Sequence, residues 1–271
     1  MRADVFLTAG GYVQSRRRAQ ELIEGGHVTV DGKLLKKAST PIDEGAHTVE
    51  VCDPQIYVGR GGQKLEGALD AFAVDVRGKR AIDIGASTGG FTDCLLQRGA
   101  AAVVAVDAGR DQLALSLRAD ARVRNIENCN ARYLTADTVG GRAELIVMDV
   151  SFISATYILP RFPLLLSEGG EAICLVKPQF EVGPERIGKG GIVKDRASHR
   201  LALERVTSAA QSVGLSVRGI IPSPIVGGDG NREFLLYMTL GKAADALLGE
   251  SLVKSISSAL EAMPARGGCA E

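Results

Sequence analysis

The 271-residue chain lacks most of the signals that settle a protein class quickly. Its five cysteines, Cys52, Cys94, Cys129, Cys174 and Cys269, form no C-x-x-C pair and no Cys/His cluster. Neither a disulfide framework nor a metal site is expected, and the thiols read as reduced, which fits a cytoplasmic protein. Net charge is also missing, with 32 Lys and Arg against 32 Asp and Glu. Any contact with nucleic acid must then come from local basic patches rather than a global field. No apolar run approaches the roughly 20 residues needed to span a bilayer, because Gly, Asp, Lys or Pro interrupts the longest of them. No stretch near residue 1 reads as a secretory leader, and no stable membrane association is expected. A P-loop, G-x-x-x-x-G-K-[ST], is absent, and a dinucleotide fingerprint, G-x-G-x-x-G, fails because Ser87 stands at its third position. What remains is a chain that is 45% hydrophobic. That supports a packed core, at a length that suits one large domain or a large and a small one.

The most informative stretch runs from Arg80 to Asp93: Arg-Ala-Ile-Asp-Ile-Gly-Ala-Ser-Thr-Gly-Gly-Phe-Thr-Asp. Ile82 and Ile84 are β-branched and suit a strand inside a parallel sheet. Gly85, Gly89 and Gly90 remove side chains where the backbone turns or nears a ligand, and a helix restarts from Phe91. A glycine turn after a first strand is how doubly wound α/β folds build a nucleotide site. Asp83 can anchor that loop or a ligand ammonium. The next strand, Ala101 to Val106, ends in Asp107, placed for a ribose diol. This set resembles the S-adenosylmethionine site of Rossmann-like methyltransferases. The resemblance implies cofactor contacts from Asp83, Gly85, Ser87, Gly89, Gly90, Phe91, Asp107 and Asn130, the last at the tip of a third strand.

Residues 1–53 read as a separate α+β module. Ser15 is a candidate N-cap for a helix over Arg16 to Glu24, with Ala19, Leu22 and Ile23 on its apolar face. Arg16, Arg17 and Arg18 crowd its first turn, the wrong end for cations in the helix dipole. Val28 and Val30 alternate with polar residues, and Asp31-Gly32 reads as a tight hairpin turn. The run from Ser15 to Lys33, with its S-R-x-x-A-x-x-L-I-x-x-G-x-V-x-V-[ND]-G pattern, resembles the S4 RNA-binding domain. Residues 1–37 hold seven cations, Arg2, Arg16, Arg17, Arg18, Lys33, Lys36 and Lys37, against four acids. That suits a phosphate-binding face.

Residues 54–62 read as a linker, 63–243 as the large domain and 244–271 as a final helix and tail. Seven strands interleave with helices and close in a hairpin, which implies an α/β, Rossmann-like methyltransferase domain. Helices are expected over Asp111–Leu117, Ser154–Leu166 and Asp195–Val213. Charged residues cluster at the ligand-binding strand ends. Asp149 closes strand four, Lys177 closes strand five and Glu233 opens an antiparallel strand seven, while Lys64 comes from the helix before strand one. The position that often reads [DN]-P-P-[YF] in amino-group methyltransferases is Asp149-Val150-Ser151-Phe152. Cys174 sits inside an apolar strand without the Pro-Cys motif of carbon methylation. A Lys-Asp-Lys-Glu set suits a hydroxyl acceptor, whose proton a lysine can accept or relay.

The S4 module followed by this domain resembles the TlyA (hemolysin A) family of ribosomal RNA 2′-O-methyltransferases, related to FtsJ-type enzymes. The matching runs include 60–65, 83–93, 149–154, 175–181 and 231–234. The resemblance implies catalytic roles for Lys64, Asp149, Lys177 and Glu233. It also implies methyl transfer to a cytidine 2′-hydroxyl, with ribosomal RNA or ribosomal subunits as partners. Two rival readings are a membrane-active hemolysin and a non-catalytic S4 assembly factor. The final helix, of mixed charge, makes a poor interfacial anchor, and the intact Asp83, Asp107 and four charged residues weigh against a relic domain.

Overall fold

In the computed structural model, residues 1–13, 15–43, 45, 48–52 and 56–263 are described. The expected boundary at Asp53-Pro54, His47, Cys269 and the tail from 264 lie outside them. The chain divides into two compact units, Met1–Ile56 and Tyr57–Glu271. The division differs from the expected linker over 54–62. Tyr57 is buried at 4% exposure and the first helix of the second unit already begins at Gly61, so 57–62 pack within that unit.

The first unit runs α1 (Ala3–Ala9), α2 (Arg16–Glu24), β1 (Val28–Val30), β2 (Lys33–Leu34) and β3 (Val49–Val51). Ser15 caps α2 by accepting the Arg18 N–H at 3.2 Å, worth on the order of 1 kcal/mol. Asp31 and Gly32 both adopt positive φ, 51° and 73°, which matches the strand twist of a two-residue hairpin. The antiparallel sheet has the order β2-β1-β3. Its core gathers Ala3, Leu7, Ala19, Leu22, Ile23 and Val28.

The second unit contains α3 (Gly61–Ala71), β4 (Arg80–Ile84), α4 (Gly90–Gln97), β5 (Ala102–Val106), α5 (Leu115–Arg118) and β6 (Val123–Ile126). It continues with α6 (Ala136–Val139), β7 (Ala143–Met148), α7 (Phe162–Leu165), β8 (Leu166–Val176), α8 (Arg196–Ser212), β9 (Leu215–Pro222), β10 (Phe234–Leu240) and α9 (Gly249–Glu261). Its seven-stranded sheet has the order β6-β5-β4-β7-β8-β10-β9, with β10 antiparallel to both neighbours. Successive β4 residues serve opposite faces. Ile82 and Ile84 join the core that includes α7, α8 and α9 residues, while Ala81 joins the core under α3 and α4. Both isoleucines are fully buried, worth roughly 1.5–3 kcal/mol each. The strand order reverses about β4, so the crevice between β4 and β7 is the place where open α/β sheets take ligands.

Of three expected helices, two come out differently. The Ser154–Leu166 segment is broken into two 3₁₀ turns, Ala155–Tyr157 and Leu159–Arg161, before α7. Pro160 and Pro163 remove the N–H donors a continuous helix needs. The helix expected over Asp111–Leu117 shrinks to α5. Asp111 sits at φ 56° and its N–H goes to the Glu127 carboxylate, 2.9 Å away, instead of into a helix. The expected Asp195–Val213 helix is present as α8, with Asp195 as its N-cap.

Candidate functional site

β4 ends in Ile84, and the chain then turns through Gly85 at φ 85°. A Cβ on Gly85 would stand 2.4 Å from the Asp149 carbonyl oxygen, so only glycine lets this loop lie against the end of β7. The loop closes at Gly90, where α4 begins. A Cβ there would meet Gly59 O and Gly62 N at 3.0 Å each. The segment 59–62 therefore forms a wall of the loop, and Val58 N–H is tied to the Asp93 carboxylate at 2.8 Å.

Two adjoining cavities open at this edge. The larger, about 470 Å³, is lined by Gly85, Ser87, Asp107, Gln112, Asn130 and Ile158 among others. The smaller, about 200 Å³, is lined by Gly59, Arg60, the glycine loop through Phe91, and Asp149, Ser151 and Lys177. Asp107 is held in place from both sides. Its Oδ2 accepts the Ser87 N–H at 2.8 Å and its Oδ1 the Gly109 N–H at 2.6 Å. Those bonds leave further lone pairs on a carboxylate beside the larger cavity, as a diol-bearing nucleoside needs. The Asn130 side chain accepts the Arg132 N–H at 3.1 Å, which leaves its NH₂ to donate. An apolar wall of Val106, Ala131 and Ile158 suits a base.

Asp83 lies behind the loop, fully buried. Its Oδ2 accepts from Thr92 Oγ1 at 2.7 Å, and its Oδ1 has no hydrogen-bond partner among the described residues. Burial, with the nearby Asp149 carboxylate adding to it, pushes the Asp83 carboxyl up to about 7, against the Thr92 hydrogen bond. The larger cavity thus offers a carboxylate for a diol at Asp107 and an apolar wall for an aromatic base, while Asp83, fully buried, lines neither cavity.

The four charged residues are brought together as two ion pairs. Lys64 Nζ, from α3, stands 2.5 Å from Glu233 Oε2, just before β10, and both side chains are buried. Lys177 Nζ, just past β8, stands 2.6 Å from Asp149 Oδ1 and donates to Ser151 Oγ at 2.8 Å. The pairs are not equivalent. Lys177 and Asp149 line the smaller cavity, whereas Lys64 and Glu233 line neither.

In the first unit the basic residues divide by partner. Asp4, fully buried, accepts from Arg2 at 3.0 Å, Arg16 at 3.1 Å and Gln20 at 2.9 Å. These donors, Arg2 first, hold its carboxyl well below the usual range against the cost of burial. Arg17 and Arg18 reach Glu21 at 3.2 and 3.3 Å. The cations at the unfavourable end of α2 therefore answer in part to acids of the same unit. Arg2, Arg16, Arg17, Lys33, Lys36 and Lys37 remain exposed, and Arg18 is half-buried.

Several site residues escape sequence reasoning. Ser151 holds Lys177, and Thr92 holds Asp83. Gly59, Arg60 and Gly61 line the smaller cavity. Phe152 lies at φ 63° with 91% exposure, an unusual backbone for a bulky residue, and packs at 5.3 Å against the Phe180 ring. The one available signal was the departure of 149–152 from the proline-bearing pattern. Among the described residues, no group of three His, Cys, Asp or Glu could hold a metal ion, and no helix is long and apolar enough to cross a membrane.

Comparison with known proteins agrees with this architecture. Residues 57–240 match the FtsJ-like methyltransferase family and residues 1–47 the S4 domain. The chain is 45% identical over 238 residues to the Mycobacterium tuberculosis 16S/23S rRNA (cytidine-2′-O)-methyltransferase TlyA, covering 88% of this chain and 89% of that protein. It is 40% identical to hemolysin A of Brachyspira hyodysenteriae, covering 89% of this chain and 100% of that protein. A solved structure of a hemolysin candidate from Streptococcus thermophilus superimposes with a TM-score of 0.75 at 41% identity, covering 96% of each chain.

Proposed function

The chain belongs to the FtsJ-like methyltransferase family and carries an S4 domain ahead of it, and from that premise we propose that it methylates a cytidine 2′-hydroxyl of ribosomal RNA in the cytoplasm, using S-adenosylmethionine. The observation that carries the reading is the Lys177–Asp149 pair, which lines a cavity whose other wall is the glycine loop. S-adenosylmethionine, when bound, supplies an electrophilic methyl on a sulfonium. Asp107 and Asn130 are suited to its ribose and base, Asp83 to its ammonium, and Gly85, Ser87, Gly89, Gly90 and Phe91 to the approach of its remaining backbone.

A ribose hydroxyl is a weak nucleophile and must lose its proton as it attacks. Lys177 is the group positioned to hold that oxygen and accept or relay the proton, since it borders the cavity and no histidine does. Asp149 and Ser151 aim its Nζ. Lys64 and Glu233, buried and mutually paired, act from behind by fixing α3 against the start of β10. Phe152, which lines the larger cavity, offers an exposed ring on which an extruded base can stack. The exposed cations of the S4 domain supply phosphate contacts.

The test uses methyl-labelled S-adenosylmethionine with free 16S and 23S rRNA and with both ribosomal subunits from cells lacking this methylation. Label is expected on a cytidine ribose, and a 2′-deoxycytidine at the mapped position is expected to abolish transfer. Transfer to the deoxy substrate would put the methyl on the base and overturn the ribose-hydroxyl mechanism.

A further inference from the structure

Asn231 is 1% exposed and lies two residues before Glu233. Its amide reaches into the segment that follows Phe180. The Oδ1 accepts the Val193 N–H at 3.0 Å, and the Nδ2 donates to the Gly191 carbonyl at 3.0 Å. One side chain thus grips both ends of a short stretch in a tight turn, which is closed internally by Gly188 N–H to Ile192 O at 3.0 Å. Gly190 and Gly191 both sit at φ 77°, so the turn has no stiff residue at its tip. Around it Arg186, Lys189 and Lys194 are exposed, while Val193 is buried in the main core.

The same short stretch of chain holds the buried ion pair. Asn231 O accepts the Gly227 N–H at 2.8 Å, and Glu233 O accepts the Ser223 N–H at 2.8 Å, which fixes the backbone that presents Glu233 to Lys64. Arg60, which lines the smaller cavity, donates to Val226 O at 2.9 Å in the same loop. The basic turn, the Lys64–Glu233 pair and the cavity wall therefore meet on residues 223–233, and the Asn231 amide is the side-chain link from that hub to the turn.

We propose that Asn231 is a positioning residue that sets the basic turn 186–194 against residues 223–233, so that the turn is already ordered when it meets the phosphate backbone of the substrate RNA. The proposal rests on RNA being the substrate. With the amide in place, Lys189 and Lys194 project from a turn whose course is already fixed, and binding pays no ordering cost there. Without it, the glycine-rich turn must be ordered by the RNA itself.

The experiment measures RNA affinity by filter binding, and steady-state methylation of the same rRNA, for wild type, Asn231→Ala, the Lys189→Ala/Lys194→Ala pair and the triple variant. Loss of two hydrogen bonds in Asn231→Ala is expected to raise the RNA Kd and KM roughly tenfold. The kcat at saturating RNA and the affinity for S-adenosylmethionine are expected to stay within about twofold. The lysine pair is expected to show a similar loss, and the triple variant no more than either, because all act through one turn. Asn231→Asp is expected to recover RNA affinity relative to wild type as pH falls, since a protonated carboxyl can accept from Val193 and donate to Gly191 as the amide does. A kcat loss at unchanged KM, additive losses in the triple variant, or an Asn231→Asp protein that binds RNA like wild type at high pH would each overturn the proposal. The last comparison stands even where Asn231→Ala does not fold. Failure of wild type to methylate any rRNA would instead strike the substrate assignment, and it is read before any variant is made.

Discussion

Among the described residues each unit buries one carboxylate completely, Asp4 and Asp83, and the two are shifted in opposite directions. Asp4 in the first unit collects two guanidiniums, the Gln20 amide and the Val5 N–H, and is held far below the ordinary carboxylate range. Asp83 in the second receives one hydroxyl, keeps an oxygen without a partner among the described residues, and is pushed up to about 7. Neither is exposed to solvent, but Asp83 lies deep in its fold, where desolvation is the first cause of its shift, whereas at Asp4 the donors outweigh desolvation. The satisfied carboxylate is a structural anchor that orders Arg2 and Arg16. The unsatisfied one sits behind the glycine loop, where a buried oxygen left short of partners calls for a completing group such as a ligand's cation. The contrast separates residues that hold a surface in shape from residues that await chemistry.

The sharpest way to probe it is at the reacting edge. Lys177→Ala removes the one lysine of the four charged residues that borders the cavity. Methyl transfer is expected to fall by roughly two to four decades while S-adenosylmethionine and RNA still bind. Single-turnover rates with calorimetric binding check it. A variant that keeps more than a tenth of the wild-type rate would move the proton-accepting role away from Lys177.

The anchor in the first unit is expected to behave in the reverse manner. Asp4→Asn leaves Arg2 and Arg16, both half-exposed, facing a neutral amide and weakens a multiply bonded group, which lowers the stability of the first unit. Hydrogen exchange on full-length protein is expected to show faster opening confined to residues 1–56, with weaker RNA binding and unchanged affinity for S-adenosylmethionine. Unaltered exchange in those residues would mean that the arginines, half-exposed as they are, contribute little. The sign with pH follows from the lowered carboxyl: this stabilisation is present above about pH 4 and is lost as pH falls further.

Local chemistry explains which features could be read before the structure. The β4–glycine–α4 unit was legible because β-branched residues, glycines and the carboxylates Asp83 and Asp107 agree over a short span. The S4 module was legible from Ser15, the Ala19–Leu22–Ile23 face and Asp31-Gly32. The breaks at Pro160 and Pro163 are also written in the sequence, although a helix is the expectation over 154–166. Lys64, Asp149, Lys177 and Glu233 could be placed at one sheet edge from strand order alone. Their division into two pairs could not, because it depends on side-chain reach across 169 residues between Lys64 and Glu233. Nor could the roles of Ser151, Arg60 and Asn231 be seen, since a single serine, arginine or asparagine in a loop carries no periodicity.

The smallest effect expected, and the one that tests the comparison most directly, is the pH dependence of Asp83. An unfolded aspartate titrates near 3.9, while the folded group sits at about 7. Between those values the folded protein holds a proton that the unfolded chain has released, so stability falls as pH rises through the window and the contribution is gone above the folded value. From about pH 5.5 to about pH 8 the loss amounts to about 2 kcal/mol. Asp83→Asn keeps an acceptor for Thr92 and removes the titration, so its stability is expected to stay flatter over the same range. The three histidines are common to both proteins and cancel in the difference. A bound ammonium favours the carboxylate, so saturating S-adenosylmethionine is expected to reduce or reverse the wild-type slope and leave the Asp83→Asn curve unchanged in shape. Thermal melts across pH, with and without the ligand, supply all four curves. Wild-type and Asp83→Asn curves that run parallel without ligand would show that Asp83 is already ionised in the empty fold, and its burial would then have to be balanced by donors of the kind that surround Asp4.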